Sequence, residues 1–201
     1  MKLVIKYACF ILFFLGNFKI YAQSEGSKPY YYEIPPYPDS FSAANVAARL
    51  IDGVGFRYYW ATDGLREKDL AFRPNDEART SLETLQHIYG LSLNIVRATQ
   101  MIPNEGGGNA SQLSYEELRN GTLENLRTAS EILKSSSDDD LKNYKIIFKG
   151  RNGSSELPFW NLLNGQIADA LWHIGQVVSF RRSSGNPFDS RVNVLIGKKG
   201  E

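Results

Sequence analysis

The chain has 201 residues, of which 23 are basic and 22 are acidic, giving a net charge of +1. This length suits one ordinary domain with a substantial core, and the balanced charge provides no basic excess for binding nucleic acid. We therefore expect one principal domain and no nucleic-acid partner.

Residues 1–22 have the pattern of a secretory signal peptide. Two lysines lie in residues 1–6, residues 7–18 are almost entirely apolar, and Ala22 places a small residue before Gln23. The apolar run is shorter than the roughly 20 residues that a membrane-spanning helix needs. An uncleaved N-terminal anchor is the alternative, and a lipoprotein fits less well because Cys9 lies inside the run. We predict export to the periplasm or the medium, with membrane contact only during export.

Cleavage after Ala22 would change the chemistry of the chain. It removes Lys2, Lys6 and Lys19 from the 23 basic residues, leaving 20 against 22 acidic residues and a net charge of −2. It also removes Cys9, the only cysteine, so the exported chain would have no disulfide and no thiolate ligand. Histidine and carboxylate side chains would then be the candidate metal ligands.

Residues 23–40 are rich in proline and tyrosine. Their prolines prevent a regular helix, so we predict an extended arm that runs over the surface. The tyrosines have two candidate roles, packing on the domain or gripping a ligand. The residues concerned are Pro29, Pro35, Pro36, Pro38, Tyr30, Tyr31, Tyr32 and Tyr37.

Two helices are predicted after the arm. The first begins near Asp39 or Ser40, shows helical apolar spacing, and ends at residues 62–64 with Gly64 as a left-handed terminator. Residues 65–79 form a connection. The second helix begins at the capping box of Thr80 and Glu83 and ends before Pro103.

The remaining elements complete a bundle. A third helix begins at the Ser114 and Glu117 capping box, and the acidic residues 135–140 that close it suit a solvated turn better than a calcium loop. Residues 144–149 and 156–159 favour a small hairpin or an extended crossover. A long helix then occupies residues 157–187, followed by a tail, residues 188–201, with a short strand at 192–196. We predict an all-α fold, a four-helix bundle over residues 41–187.

Three residues of this bundle form a candidate metal site. Asp169 and His173 are four residues apart on the last helix, so their side chains share one face. His87 lies on the second helix, and the chain has only these two histidines. Two histidines and a carboxylate leave coordination positions open, as in catalytic sites. The alternative is a hydrogen-bonded core histidine, with Asp169 paired to Arg97, Arg181 or Arg182.

The last helix resembles a known signature. In the run from Ala168 to Gln176, His173 is followed by Ile-Gly-Gln, as in the final helix of the DinB-like superfamily. Leu-Gln-His-Ile around His87, the Arg73-Pro74 pair and the segment Leu157-Pro-Phe-Trp160 agree with this pattern. The resemblance spans about residues 42–187 and implies a four-helix bundle with a metal site. His87 and His173 match family ligands, and Asp169 stands where the family has the earlier histidine of a His-x-x-x-His pair.

The resemblance also implies a function. It predicts a divalent metal (zinc, iron, manganese or nickel) held by His87, Asp169 and His173, with Asp169 favouring cations that accept oxygen ligands, unless the substitution marks a lost site. Helical spacing offers Gln176, Glu83 and Asn94 as supporting residues. The implied activity is a metal-dependent hydrolase or thiol transferase acting on a small molecule. A non-catalytic exported binding or stress-related module is the alternative, and a homodimer follows by analogy.

Overall fold

The structure is a computed structural model that describes residues 28–106, 109–151 and 153–201. Within these residues four long helical segments form the bundle: α1 (Ala43–Thr62), α3 (Ser81–Gln100), α4 (Tyr115–Lys134) and a final segment that ends in α6 (Ala168–Ser183). The all-α four-helix bundle predicted from the sequence is confirmed. The predicted signal peptide lies outside the described residues.

The helices begin and end where local chemistry satisfies their backbone. Thr80 and Ser114 form both predicted capping boxes, with Glu83 and Glu117 respectively. The predicted start of α1 at Asp39 or Ser40 is wrong, because the Ser42 side chain accepts the Asn45 backbone N–H at 3.1 Å. Ser40 instead accepts from the Asn45 side chain. The connection after α1 contains an unpredicted short helix, α2 (Glu67–Leu70).

The last helical segment is interrupted. The predicted single helix over residues 157–187 is instead a short helix α5 (Phe159–Leu162), a π-helical turn (Leu163–Ile167) and α6. Pro158 precedes the segment, and Gly185 follows it with φ of 81°. A π turn is wider than an α turn. The side chains before it are therefore rotated about the helix axis relative to the face of α6 that carries Asp169.

Two small antiparallel sheets complete the structure. The predicted hairpin is present as β1 (Lys145–Gly150) and β2 (Gly153–Pro158), with Ile146 opposite Leu157. The predicted strand at residues 192–196 is limited to β3 (Val192–Asn193), which pairs with β4 (Lys198–Lys199). The intervening residues turn back, because the Asn193 side chain accepts the backbone N–H groups of Leu195 and Ile196.

The apolar core lies between the helices. Both α1 and α3 pack against α4 and α6, so the helices follow the order α1, α4, α3, α6 around the bundle. This order places α3 directly beside α6. In the described residues no helix is apolar over a length that would let it cross a membrane.

The predicted extended arm is corrected at its centre. Residues Tyr30–Tyr32 form a 3-10 turn, and Tyr31 is only 1% exposed. Its ring fills the space above Gly55, where an added Cβ would lie 2.4 Å from a ring carbon. Tyr31 is therefore part of the domain core, while the other residues of the described arm are half-buried or exposed.

Candidate metal centre

The neighbouring helices α3 and α6 bring the three predicted residues together. His87 Nε2 lies 3.2 Å from Asp169 Oδ2, and His173 Nε2 lies 3.3 Å from Asp169 Oδ1. One candidate ligand atom from each residue lies within 4.8 Å of the other two. The carboxylate thus stands between two imidazoles contributed by different helices.

The site is open on one side. The side chains of Asp169 and His87 are 41% and 32% exposed, whereas that of His173 is 14% exposed. The two imidazole rings meet edge to face, with centroids 4.5 Å apart. Water or a small molecule therefore has access to the carboxylate from solvent.

The three predicted supporting residues differ in what they contact. Gln176, one turn after His173, places its Oε1 2.8 Å from His173 Nδ1, as expected for a residue that orients a ligand. Glu83 instead accepts the Thr80 backbone N–H at 2.7 Å, so its role is to cap α3. Asn94 lies along a cleft that begins at His87.

One tautomer of His173 would suit a cation at this position. With the proton on Nδ1, His173 donates to Gln176 Oε1, and its Nε2 lone pair faces Asp169 Oδ1. Two acceptors that face each other at 3.3 Å need a proton or a metal ion nearby. Burial lowers the pKa of His87 below its ordinary value, and the nearby His173 acts in the same direction, while the hydrogen bond to Asp169 opposes them. A lowered pKa favours the neutral imidazole of His87, which is the form that binds a metal ion.

The donor set and its spacing fit a divalent metal. Ligand atoms at about 2.1 Å from a tetrahedral zinc ion lie roughly 3.4 Å apart. Each imidazole lies at about that distance from its own oxygen of Asp169, and one ligand atom from each of the three residues lies within 4.8 Å of the other two.

None of the three predicted arginine partners pairs with Asp169 in the described residues. Arg181 donates to the backbone oxygens of Trp60 and Ala61 at 3.1 and 3.0 Å, and so caps the C-terminus of α1. Arg182 stacks over the Phe188 ring. Arg97 forms no ion pair with Asp169 in the described structure. Within the described chain, Asp169 contacts histidines and not arginines.

A cleft of about 340 Å³ extends from His87 along α3. Asn104, in the connection between α3 and α4, lies in its wall. The contact that positions Asn104 is made with β1, through a bridge to Phe148. The local sequence carries no signal for this long-range pairing, which is why sequence analysis missed the residue.

Comparison with known proteins identifies the fold. No family model matches the sequence, and no curated protein matches it. A solved structure of a DinB-like protein from Bacillus cereus ATCC 10987 is similar, with a TM-score of 0.51 and 18% sequence identity. The match covers 71% of this chain and 95% of that chain. The chain therefore has the fold of a DinB-like protein.

Proposed function

We propose that the chain is a metal-dependent enzyme whose divalent ion is held by His87, Asp169 and His173. The observation that carries this proposal is the convergence of two imidazoles and one carboxylate on an accessible face between α3 and α6. The similarity to the DinB-like protein supports the fold and leaves the reaction to be tested. Zinc, iron, manganese and nickel are the candidate metals.

The protein residues have separate roles in this proposal. His87 and His173 present imidazole nitrogens from facing helices, Gln176 holds the His173 ring, and Asp169 supplies negative charge at the solvent side. A bound divalent ion would lower the pKa of a coordinated water or thiol. That is the chemistry of a hydrolase or a small-thiol transferase. The substrate is a small molecule.

One observation favours a second candidate, a non-catalytic binding module. The carboxylate of Asp169 already contacts both histidines, so the same cluster can join α3 to α6 as a structural polar contact. In that case the site would be the remnant of a metal centre. The two candidates differ in metal retention and are separated by one experiment.

The experiment is metal analysis of tag-free protein. A histidine tag would itself bind metal, and it contains more histidines than the two in the chain. We expect about one equivalent of divalent metal after reconstitution, and its loss in His87→Ala and Asp169→Asn. Glu116→Gln is the matched control, since Glu116 is an exposed carboxylate on α4, away from the site. Absence of metal from folded wild-type protein offered zinc, iron, manganese and nickel would refute the metal-dependent enzyme.

We also propose that the protein is exported after cleavage of residues 1–22, leaving a bundle at residues 41–187 with the arm and the tail around it. The basic, apolar and small-residue pattern of the N-terminus supports export. Intact mass of the exported protein should correspond to a chain that begins at Gln23, and an uncleaved chain would contradict this. A homodimer is a further proposal, by analogy with related bundles.

A further inference from the structure

We propose that the cleft beside His87 binds a small organic anion, with its acidic group at Arg97 and its apolar body directed along α3 towards the metal centre. The proposal rests on the proposed function, since it names the substrate class of the same site. Its test nevertheless measures ligand binding separately from metal content.

The cleft follows one face of α3. His87, Gly90, Asn94 and Arg97 all line it, and their spacing of three, four and three residues places them along one side of the helix. Ten residues of helix extend about 15 Å. The cleft volume of about 340 Å³ lies at the small end of the range for ligand pockets. An elongated small molecule can therefore reach from Arg97 towards the metal centre.

Charge selects an anion. Arg97 is half-buried in the wall of the cleft, and its guanidinium makes no hydrogen bond or ion pair with any described residue. The described lining residues include no carboxylate. A guanidinium binds carboxylate or phosphate oxygens through paired hydrogen bonds, which are stronger than neutral ones. The cleft thus offers one unsatisfied cation and no competing acidic group among those residues.

Asn104 provides a fixed polar contact in the same cleft. Only 5% exposed, it donates its backbone N–H and its amide nitrogen to the Ile147 oxygen at 2.7 and 3.2 Å. Its backbone oxygen accepts from Lys149 at 2.8 Å. Only Oδ1 is left buried and without a partner in the described part of the chain. A buried acceptor of this kind, on a residue that lines the cleft, suits a ligand that carries a hydroxyl or amide donor.

The remaining walls favour an apolar body. The aromatic residues Tyr89 and Phe148 line the cleft, and Tyr89 packs so closely on Gly121 that an added Cβ there would lie 2.8 Å from the ring. Gly90 has open space where a Cβ would project, with no atom within 4 Å. The floor of the cleft is therefore a bare stretch of helix against which an aryl or alkyl group can lie.

Calorimetric titration of the metal-loaded full chain tests the proposal with three probes: 4-phenylbutanoate, phenyl phosphate and the neutral 4-phenylbutan-1-ol. We expect at least one anion to bind more tightly than the alcohol. Arg97→Gln should weaken anion binding at least about tenfold, because a charge-assisted contact is lost. Gly90→Leu should abolish binding of every probe by filling the cleft, and the added side chain favours the helix.

Arg182→Gln is the matched control, because Arg182 lies outside this cleft and should leave binding unchanged. Metal content is measured for each variant and should stay at the wild-type level. The cleft proposal is overturned when both anions bind wild-type protein no better than the alcohol, or when folded Arg97→Gln and Gly90→Leu bind as wild type does. Anion binding by protein that retains no metal would uphold the cleft and refute only the metal-dependent enzyme.

Discussion

At the residue scale, Asp169 is the residue of the proposed metal site that contacts both histidines. The sequence predicted its proximity to His173 from helical spacing, and it predicted the Gln176 contact in the same way. The approach of His87 depends on the packing of α3 beside α6, which the bundle and the family resemblance implied. The sequence indicated Arg97 only as a candidate partner for Asp169. Its cleft is built partly by Asn104 and Phe148, which come from other elements, so no local pattern marked it.

Replacing Asp169 by histidine should alter metal preference without removing the site. The change gives the His-x-x-x-His pair expected from the resemblance, and a third imidazole favours zinc and nickel over manganese, which prefers oxygen ligands. We expect the ratio of zinc to manganese affinity to rise by at least roughly tenfold, or about 1.4 kcal/mol. Competitive titration with a chromophoric chelator measures this ratio.

The matched variant for this prediction is Asp169→Asn, which keeps an oxygen atom and removes the negative charge. It should weaken binding of all the divalent metals and should not raise the preference for zinc. An unchanged ratio of zinc to manganese affinity in Asp169→His would indicate that residue 169 does not ligate the ion, even if His87 and His173 do.

At the element scale, sequence chemistry predicted helix starts better than helix interiors. The capping boxes at Thr80 and Ser114 are short-range hydrogen-bond patterns, and both are present. The π turn Leu163–Ile167 contains no proline, and Leu163 and Ile167 keep the helical apolar spacing. Asn164 and Gly165 are weak helix formers, but they do not specify a π turn. Helix α2 is only four residues long, and its position depends on the long-range contacts of Asp69.

Asp69 fastens the connection after α1 to the end of α6. Its buried carboxylate accepts from the Arg66 guanidinium at 2.8 and 2.9 Å, from Ser184 at 2.5 Å and from Asn186 at 2.7 Å. The hydrogen bonds from Arg66, Ser184 and Asn186 hold the pKa of Asp69 well below its ordinary value, although burial opposes the shift. The ionised form is therefore the one that stabilises the fold.

Asp69→Asn should lower the free energy of unfolding by about 2–4 kcal/mol at pH 7, because several charge-assisted hydrogen bonds to a buried carboxylate are weakened or lost. Since the folded-state pKa is depressed, the contribution is complete above the ordinary carboxyl pKa of about 4 and is lost as the pH falls through the folded value. The difference between wild type and variant should therefore narrow below about pH 4.

Urea unfolding at pH 7 and at pH 3 measures this difference. The matched control is Asp139→Asn, which removes an exposed carboxylate that pairs with Lys142. This change should leave the free energy of unfolding unchanged at both pH values. A wild-type-like midpoint for Asp69→Asn at pH 7, or a difference that widens at pH 3, would contradict the assigned role of Asp69.

At the scale of the whole molecule, the two ends of the described chain meet on the bundle. The Ile34 N–H donates to the Gly197 oxygen at 2.9 Å, and the Trp60 indole donates to the Tyr32 oxygen at 3.2 Å. The sequence predicted an extended surface arm because four prolines exclude a helix locally, and packing of its tyrosines on the domain was one candidate role. It carried no signal that Tyr31 fits over Gly55, since that fit joins residues 24 positions apart in different elements.

Tyr31 should therefore contribute to the stability of the whole domain. Tyr31→Ala should cost about 3–5 kcal/mol of unfolding free energy, the range for truncating a large buried aromatic side chain. Tyr31→Phe keeps the ring and loses the hydroxyl that donates to Asp52 at 3.2 Å, so we expect a cost of only about 1–2 kcal/mol. The loss is limited because Lys134 still pairs with Asp52 at 2.7 Å.

Chemical denaturation followed by circular dichroism measures both changes, and Tyr37→Ala is the control from the same arm. Tyr37 is 80% exposed, so its removal should have little effect on the unfolding midpoint. If Tyr31→Ala unfolds at the same denaturant concentration as Tyr37→Ala, the arm is dispensable and the bundle core does not require it. A large loss in Tyr31→Ala with near-normal Tyr31→Phe would instead show that packing over Gly55, more than the contact with Asp52, attaches the arm to the bundle.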